Sequence, residues 1–93
     1  MKTPEARLKD EIKTLLKRMG AHYYMPVPSG YGKQTLDFLC CVKGRFVGIE
    51  TKAPGKKPTP RQQQCIDEIN AAGGLAFWCD HYEDAYFMLG MLQ

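Results

Sequence analysis

Asp37, Glu50 and Lys52 are the residues whose types and spacing suggest chemistry. They lie on two short apolar runs, Asp37-Phe38-Leu39-Cys40-Cys41-Val42 and Phe46-Val47-Gly48-Ile49-Glu50-Thr51-Lys52, joined by Lys43-Gly44-Arg45. Both runs are rich in β-branched and aromatic residues and flank a glycine-containing turn, the signature of an antiparallel hairpin. If Val42 opposes Arg45, or Cys41 opposes Phe46, Asp37 falls opposite Glu50, and directly opposed residues share a face. The two-residue period of a strand puts Lys52 on that face too, with Phe38, Cys40, Val47 and Ile49 on the other. Two carboxylates and an ammonium thus converge.

Facing carboxylates on adjacent strands repel, and a strand pair selected for stability alone avoids them. A hard divalent cation relieves the repulsion. Mg²⁺ or Mn²⁺ takes oxygen ligands, and Mg²⁺ keeps waters that a phosphate can displace, so the composition suits phosphodiester hydrolysis. Lys52 would hold the attacking water or neutralise phosphate charge. An isolated Glu-x-Lys is usually a solvated surface pair. The register with Asp37 is what makes this triplet a candidate site.

The flanking elements add two further side chains. Thr3, Pro4 and the spacing of Leu8, Ile12, Leu15, Leu16 and Met19, closed by Gly20, predict a first helix. At about 100° per residue, Glu5 falls within roughly 40° of the middle of that apolar stripe. It either aims inward at a partner or sits solvated in the first turn, favoured by the helix dipole. Thr59 and Pro60 open a second helix with Cys65, Ile66 and Ile69 on its apolar face and Gly73-Gly74 at its end. Gln62 lies on that face, where it either hydrogen-bonds a phosphate or water or covers the helix end.

The remaining chain predicts an edge strand over Tyr23–Val27, a loop over Ser29–Lys33 and a buried strand over Leu75–Cys79. The helix starting at Pro60 separates that last strand from the Glu50 strand, which implies a parallel, right-handed βαβ crossover. Asp80 would cap a final helix over Tyr82–Leu92, with Ala85, Met88, Leu89 and Leu92 apolar at helical spacing. The resulting fold class is α/β, αβββαβα, a mixed sheet flanked by helices.

A capped helix carrying Glu5, a strand starting at Asp37, Glu50-Thr51-Lys52, and Thr59-Pro60-Arg61-Gln62 opening the next helix together resemble the VRR-NUC nucleases of the PD-(D/E)XK superfamily. The resemblance runs from Glu5 to about Asp80 and includes Gly44-Arg45-Phe46 and Ala72-Gly73-Gly74. It implies a restriction-endonuclease-like core in which Asp37, Glu50 and Lys52 carry the metal and the water. Glu5 would assist the metal, the Thr51 carbonyl would offer a further oxygen, and Gln62 would be the family's helix glutamine. The chain departs from the family pattern just before the aspartate, with Thr35-Leu36 in place of the usual proline and nearby glycine. Leucine can adopt the extended conformation that proline imposes.

Composition bounds the reading. Ninety-three residues, 44% hydrophobic and 25% charged, suit one modest globular domain spanning 1–93. No apolar stretch approaches the roughly 18 to 20 residues of a membrane span, so the expected setting is intracellular and cytoplasmic, with no membrane partner and no organic cofactor. Cys40, Cys41, Cys65 and Cys79 lie in apolar runs without zinc-knuckle spacing and read as reduced packing residues. The net charge is only +3, but Lys33, Lys43, Arg45, Lys56, Lys57 and Arg61 surround the hairpin and the following loop as a phosphate-contacting rim. Lysines in a Pro/Gly loop are also the default of any soluble surface. Tyr23, Tyr24 and Tyr31 would stack on bases or pack half-buried at the sheet edge.

The resemblance implies a Mg²⁺- or Mn²⁺-dependent endonuclease acting on DNA and, as for small stand-alone members, selective for branched or four-way-junction structures. A domain this small carries one active centre, so paired cuts imply a homodimer, with Phe87, Met88, Met91 and Leu92 either at its interface or in the core. The alternatives are a nucleic-acid-binding module of the same fold without turnover, a nuclease that needs a partner protein, and a nucleotide hydrolase.

Overall fold

Thr3 opens the first helix. In this computed structural model, which describes residues 1–27 and 35–92, its hydroxyl accepts the Ala6 N–H at 3.1 Å. Pro4 then starts α1 (Pro4–Arg18) at a position where an N–H would have no helical partner. Gly20, at φ +71°, turns the chain out of the helix. The order that follows is β1 (His22–Tyr24), β2 (Phe38–Val42), β3 (Arg45–Thr51), α2 (Pro60–Ala71), β4 (Leu75–Cys79) and α3 (Tyr82–Gly90). The strands form one sheet in the order β1-β2-β3-β4, antiparallel across β1–β2–β3 and parallel between β3 and β4. This is the αβββαβα arrangement and βαβ crossover that the sequence implies.

A two-residue turn sets the register. Val42 pairs with Arg45, and Lys43 and Gly44 both take positive φ, +51° and +78°. That is the type I′ pattern, whose twist matches the strands it joins. Pairing then runs without slippage to Phe38 and Ile49. The next residues outward are Asp37 and Glu50.

Alternation divides the side chains between two cores. Phe38, Cys40, Val42, Val47, Ile49, Phe77 and Cys79 pack with Leu8, Ile12, Leu15 and Leu16 of α1 and Ala85 and Leu89 of α3. On the other face Leu36, Ile66 and Ala76 gather with half-buried Cys65, Ile69 and Trp78 under α2. Gly48 lets α2 approach closely, since a Cβ there would lie 2.9 Å from both Ile69 Cδ1 and Leu36 Cδ1. Leu36, just before Asp37, is 1% exposed and fills this second core. The open edge of β4 is covered at Ala76, whose N–H and C=O both bond the Asn70 amide at 2.8 and 3.0 Å.

Several expectations are corrected. The edge strand starts one residue early and ends at Tyr24, short of Val27, because Pro26 has no N–H to extend the ladder. Asp80 does not cap α3: His81 is the N-cap residue and makes no side-chain cap bond. The Asp80 carboxylate instead accepts the Gly55 N–H at 3.2 Å and meets His81 Nδ1 at 2.7 Å. The last helix stops at Gly90, although Leu92 beyond it is buried. Cys41 is exposed, so it is not a packing residue; Cys40 and Cys79 are buried, and burial pushes their thiols up to about 11 and 12. Ser29–Lys33, including Tyr31 and Lys33, lies outside the described residues. No described helix is long and apolar enough to cross a membrane.

Candidate metal centre

The end of the β2–β3 hairpin brings Asp37 and Glu50 together. The Asp37 N–H donates to Glu50 Oε1 at 3.2 Å, joining the two residues through one backbone bond. Thr51 then fixes the second carboxylate: its N–H and its hydroxyl both donate to Asp37 Oδ2, at 3.0 and 2.7 Å. Thr51 is 1% exposed, so its hydroxyl has little water to turn to. Lys52 closes the group from the other side, with Nζ 3.6 Å from Glu50 Oε2. Each carboxylate thus has one oxygen anchored by the backbone and one left beside the site.

Glu50 is 4% exposed. Its carboxyl is pushed up to about 7, first by burial and then by the neighbouring Asp37 charge, with Lys52 and the Asp37 N–H opposing the rise. Desolvation together with a neighbouring like charge disfavours the ionised carboxyl, a combination that is common at functional sites. The donors available are hard oxygens, suited to Mg²⁺ or Mn²⁺ and poorly suited to a thiophilic metal. Cys79 lies on the adjacent strand and is electrostatically coupled to both Asp37 and Glu50, but its thiol is pushed up to about 12 and stays protonated. Asp37 Oδ1 and Glu50 Oε2 are the carboxylate oxygens without a backbone or Thr51 donor, facing Lys9 and Lys52 respectively.

Among the described residues, Glu5 reaches this group through Lys9. Lys9 Nζ lies 3.5 Å from Glu5 Oε2 and 3.9 Å from Asp37 Oδ1, so the helix carboxylate faces the site with an ammonium between. Sequence reasoning overlooked Lys9, although its place four residues after Glu5 on one helix face was a usable signal. It also overlooked the Thr51 side chain, assigning only the carbonyl. Gln62 completes a capping box, its N–H donating to the Thr59 hydroxyl at 3.2 Å and its Oε1 accepting the Thr59 N–H at 3.0 Å. The cap accounts for Gln62 facing the helix start and uses its oxygen, not its amide nitrogen.

The basic rim divides. Lys56, Lys57 and Arg61 are exposed on the loop after Lys52 and on the first turn of α2. Lys43 and Arg45 are not part of that group, because they lie at the hairpin turn. Arg45 is five strand residues from Glu50, about 17 Å at ~3.4 Å per residue. Tyr23 is half-buried against Phe38, with ring centroids 5.9 Å apart, whereas Tyr24 is exposed. Asp80, His81 and Asp84 bring one ligand atom each within 4.8 Å of one another beyond β4, a group distinct from Asp37 and Glu50 that the sequence reading did not select.

Comparison with solved structures gives a superposition over 99% of this chain and 100% of a structure described as a VRR_NUC domain, with a TM-score of 0.82 and 18% identity. The chain has the VRR-NUC fold. No protein-family profile matches the sequence, and no curated protein matches it either. At this identity the VRR-NUC likeness concerns the backbone, which is the restriction-endonuclease-like core anticipated from the sequence. What the side chains do on that VRR-NUC backbone rests on the distances above.

Proposed function

We propose that residues 1–93 form a single VRR-NUC-type nuclease domain that hydrolyses DNA phosphodiester bonds in a Mg²⁺- or Mn²⁺-dependent reaction. In this reading it acts endonucleolytically, prefers branched or four-way-junction DNA, and works as a homodimer. One observation carries the reading: the Asp37–Glu50 pair, bonded through the Asp37 N–H, with Lys52 Nζ 3.6 Å from Glu50. A strand pair gains no stability from two abutting carboxylates, and the nuclease-like fold supplies a reaction that needs them.

Asp37 Oδ1, Glu50 Oε2 and the Thr51 carbonyl are the oxygens assigned to the metal. When bound, a hard divalent ion supplies charge neutralisation for the phosphate and makes water more acidic. Thr51 keeps Asp37 from rotating, so its outer oxygen is presented in one orientation. Lys52, which leaves Glu50 Oε2 to the metal, donates hydrogen bonds to the attacking water or to a phosphate oxygen. A bond forms from the water oxygen to phosphorus in line with the one that breaks to the leaving oxygen. Lys56, Lys57 and Arg61 contact the phosphate backbone, with Lys33 assigned to the same role. Gln62 contributes through its amide nitrogen and Glu5 through Lys9.

The test is cleavage of end-labelled single-stranded, duplex, flap and four-way-junction DNA with Mg²⁺, Mn²⁺ or EDTA, beside a Glu50→Gln control. Metal-dependent products that vanish in the control are expected. A Glu50→Gln protein that cleaves normally sinks the assignment. Retention of DNA without cleavage of any substrate would make the chain a binding module or one that needs a partner protein. For Lys52→Ala, a loss of rate without loss of affinity is expected; a parallel loss of binding would make Lys52 a phosphate clamp instead.

A further inference from the structure

Oxygen occupancy at the centre gives Lys9 a role. Asp37 Oδ2 takes both Thr51 donors, and Glu50 Oε1 takes the Asp37 N–H. The remaining oxygens each face an ammonium: Glu50 Oε2 faces Lys52 at 3.6 Å and Asp37 Oδ1 faces Lys9 at 3.9 Å. Lys52 follows Glu50 on the strand, but Lys9 comes from α1 and has an alternative partner in Glu5 at 3.5 Å.

We propose that Lys9 is a tethered counter-ion that competes with the divalent cation for Asp37 Oδ1, moving fully onto Glu5 when the ion binds, so that the Glu5–Lys9 pair sets metal affinity. The proposal rests on the reading of Asp37 and Glu50 as a metal centre. An ammonium and a divalent cation on one carboxylate oxygen repel strongly at these separations, so one must give way. Glu5 receives the displaced ammonium four residues back on the same helix face. The exchange stays at the solvent boundary, because the Lys9 and Glu5 side chains are 31% and 38% exposed. α1 packs against β3 and α3, which keeps Glu5 and Lys9 at a fixed place relative to Asp37. Glu5 therefore acts on the metal indirectly, as a positioning residue.

The experiment is Mn²⁺ binding by isothermal titration calorimetry, without nucleic acid, on the wild type, Lys9→Gln, Lys9→Arg, Glu5→Gln and the Lys9→Gln/Glu5→Gln double variant. Thermal melts confirm that each is folded. Lys9→Gln should bind Mn²⁺ about tenfold more tightly, the order expected from removing one positive charge beside a divalent ion. Lys9→Arg keeps the charge and should stay within about twofold of the wild type. Glu5→Gln should bind several-fold more weakly alone and show no effect in the Lys9→Gln background. Unchanged affinity in Lys9→Gln overturns the proposal. So does an equal Glu5→Gln loss in both backgrounds, which would make Glu5 a direct ligand. If neither the wild type nor Lys9→Gln binds Mn²⁺, the metal-centre reading fails and the proposal with it.

Discussion

Burial of Glu50 makes its proton part of the folding equilibrium. Its carboxyl rises from 4.5 to about 7 in the folded protein, chiefly through desolvation. The protonated form is therefore favoured by folding. The sign follows: the contribution is fully present below pH 4.5 and is lost as pH rises through 7. That shift corresponds to about 3 kcal/mol between the two limits. In EDTA the wild type should lose stability relative to Glu50→Gln as pH goes from 4.5 to 8, measured as the difference between their thermal midpoints. His81 is also raised, by Asp80, and weakens the fold in the same direction as pH rises, but it is present in both proteins and cancels in the difference. Parallel curves would show that Glu50 is not the buried acid described above. The same protonation predicts that Mn²⁺ affinity falls below pH 7, by up to about tenfold per pH unit, as the Glu50 proton competes with the ion.

At the scale of elements, the hairpin turn decides whether Asp37 and Glu50 meet, since a slip of one residue would send each side chain to the opposite face. Gly44 holds φ +78° with open space around the position a Cβ would take, so only the left-handed backbone opposes a side chain. Gly44→Ala should destabilise by about 1 kcal/mol and Lys43→Asn should stabilise by a few tenths, read from urea midpoints. A neutral Gly44→Ala would mean the turn tolerates another geometry. The loop after Lys52 is held differently, by the Gly55 N–H on Asp80. Asp80→Ala should speed amide exchange at Gly55 and weaken DNA binding, whereas Asp80→Asn, which keeps an acceptor, should do neither; equal effects in both would remove the hydrogen bond as the cause. The elements were legible because each is locally consistent. Thr3-Pro4 and Thr59-Pro60 mark the helix starts, alternation about Lys43-Gly44 gives the register, and together they put Asp37 beside Glu50. Features that depend on contacts between distant segments were not legible. Asp80 looks like an ordinary cap until the β3–α2 loop comes to rest on it. Lys9 looks like a solvated helix lysine until the sheet end is placed under α1. Gln62 reads equally well as a ligand or a cap, and local sequence cannot divide the two. Cys41 appears to belong to an apolar run, yet α2 does not extend over it.

For the whole molecule, the paired cutting proposed above requires a face on which a second copy docks. α3 packs Ala85 and Leu89 inward, and Leu92 beyond its end is buried as well, which removes Leu92 from the interface anticipated at the C-terminus. Phe87 at 67%, Met91 at 53% and Tyr86 at 61% exposure remain on the outer side, with Met88 half-buried beside them. Apolar side chains grouped on one exposed helix are a surface on which a second copy can close by two-fold symmetry. Charge placed there should then separate the subunits without touching the chemistry, because the centre is built from α1, β2 and β3, none of which supplies this surface. We expect Phe87→Glu/Met91→Glu to sediment as a monomer where the wild type sediments as a dimer. On a four-way junction the variant should convert paired incisions into single nicks while still cleaving in Mg²⁺. Unchanged sedimentation with unchanged paired cutting would exclude this face of α3 as the dimer interface. Loss of cleavage altogether, with the fold intact by circular dichroism, would mean that the second subunit contributes to each centre and not only to their pairing.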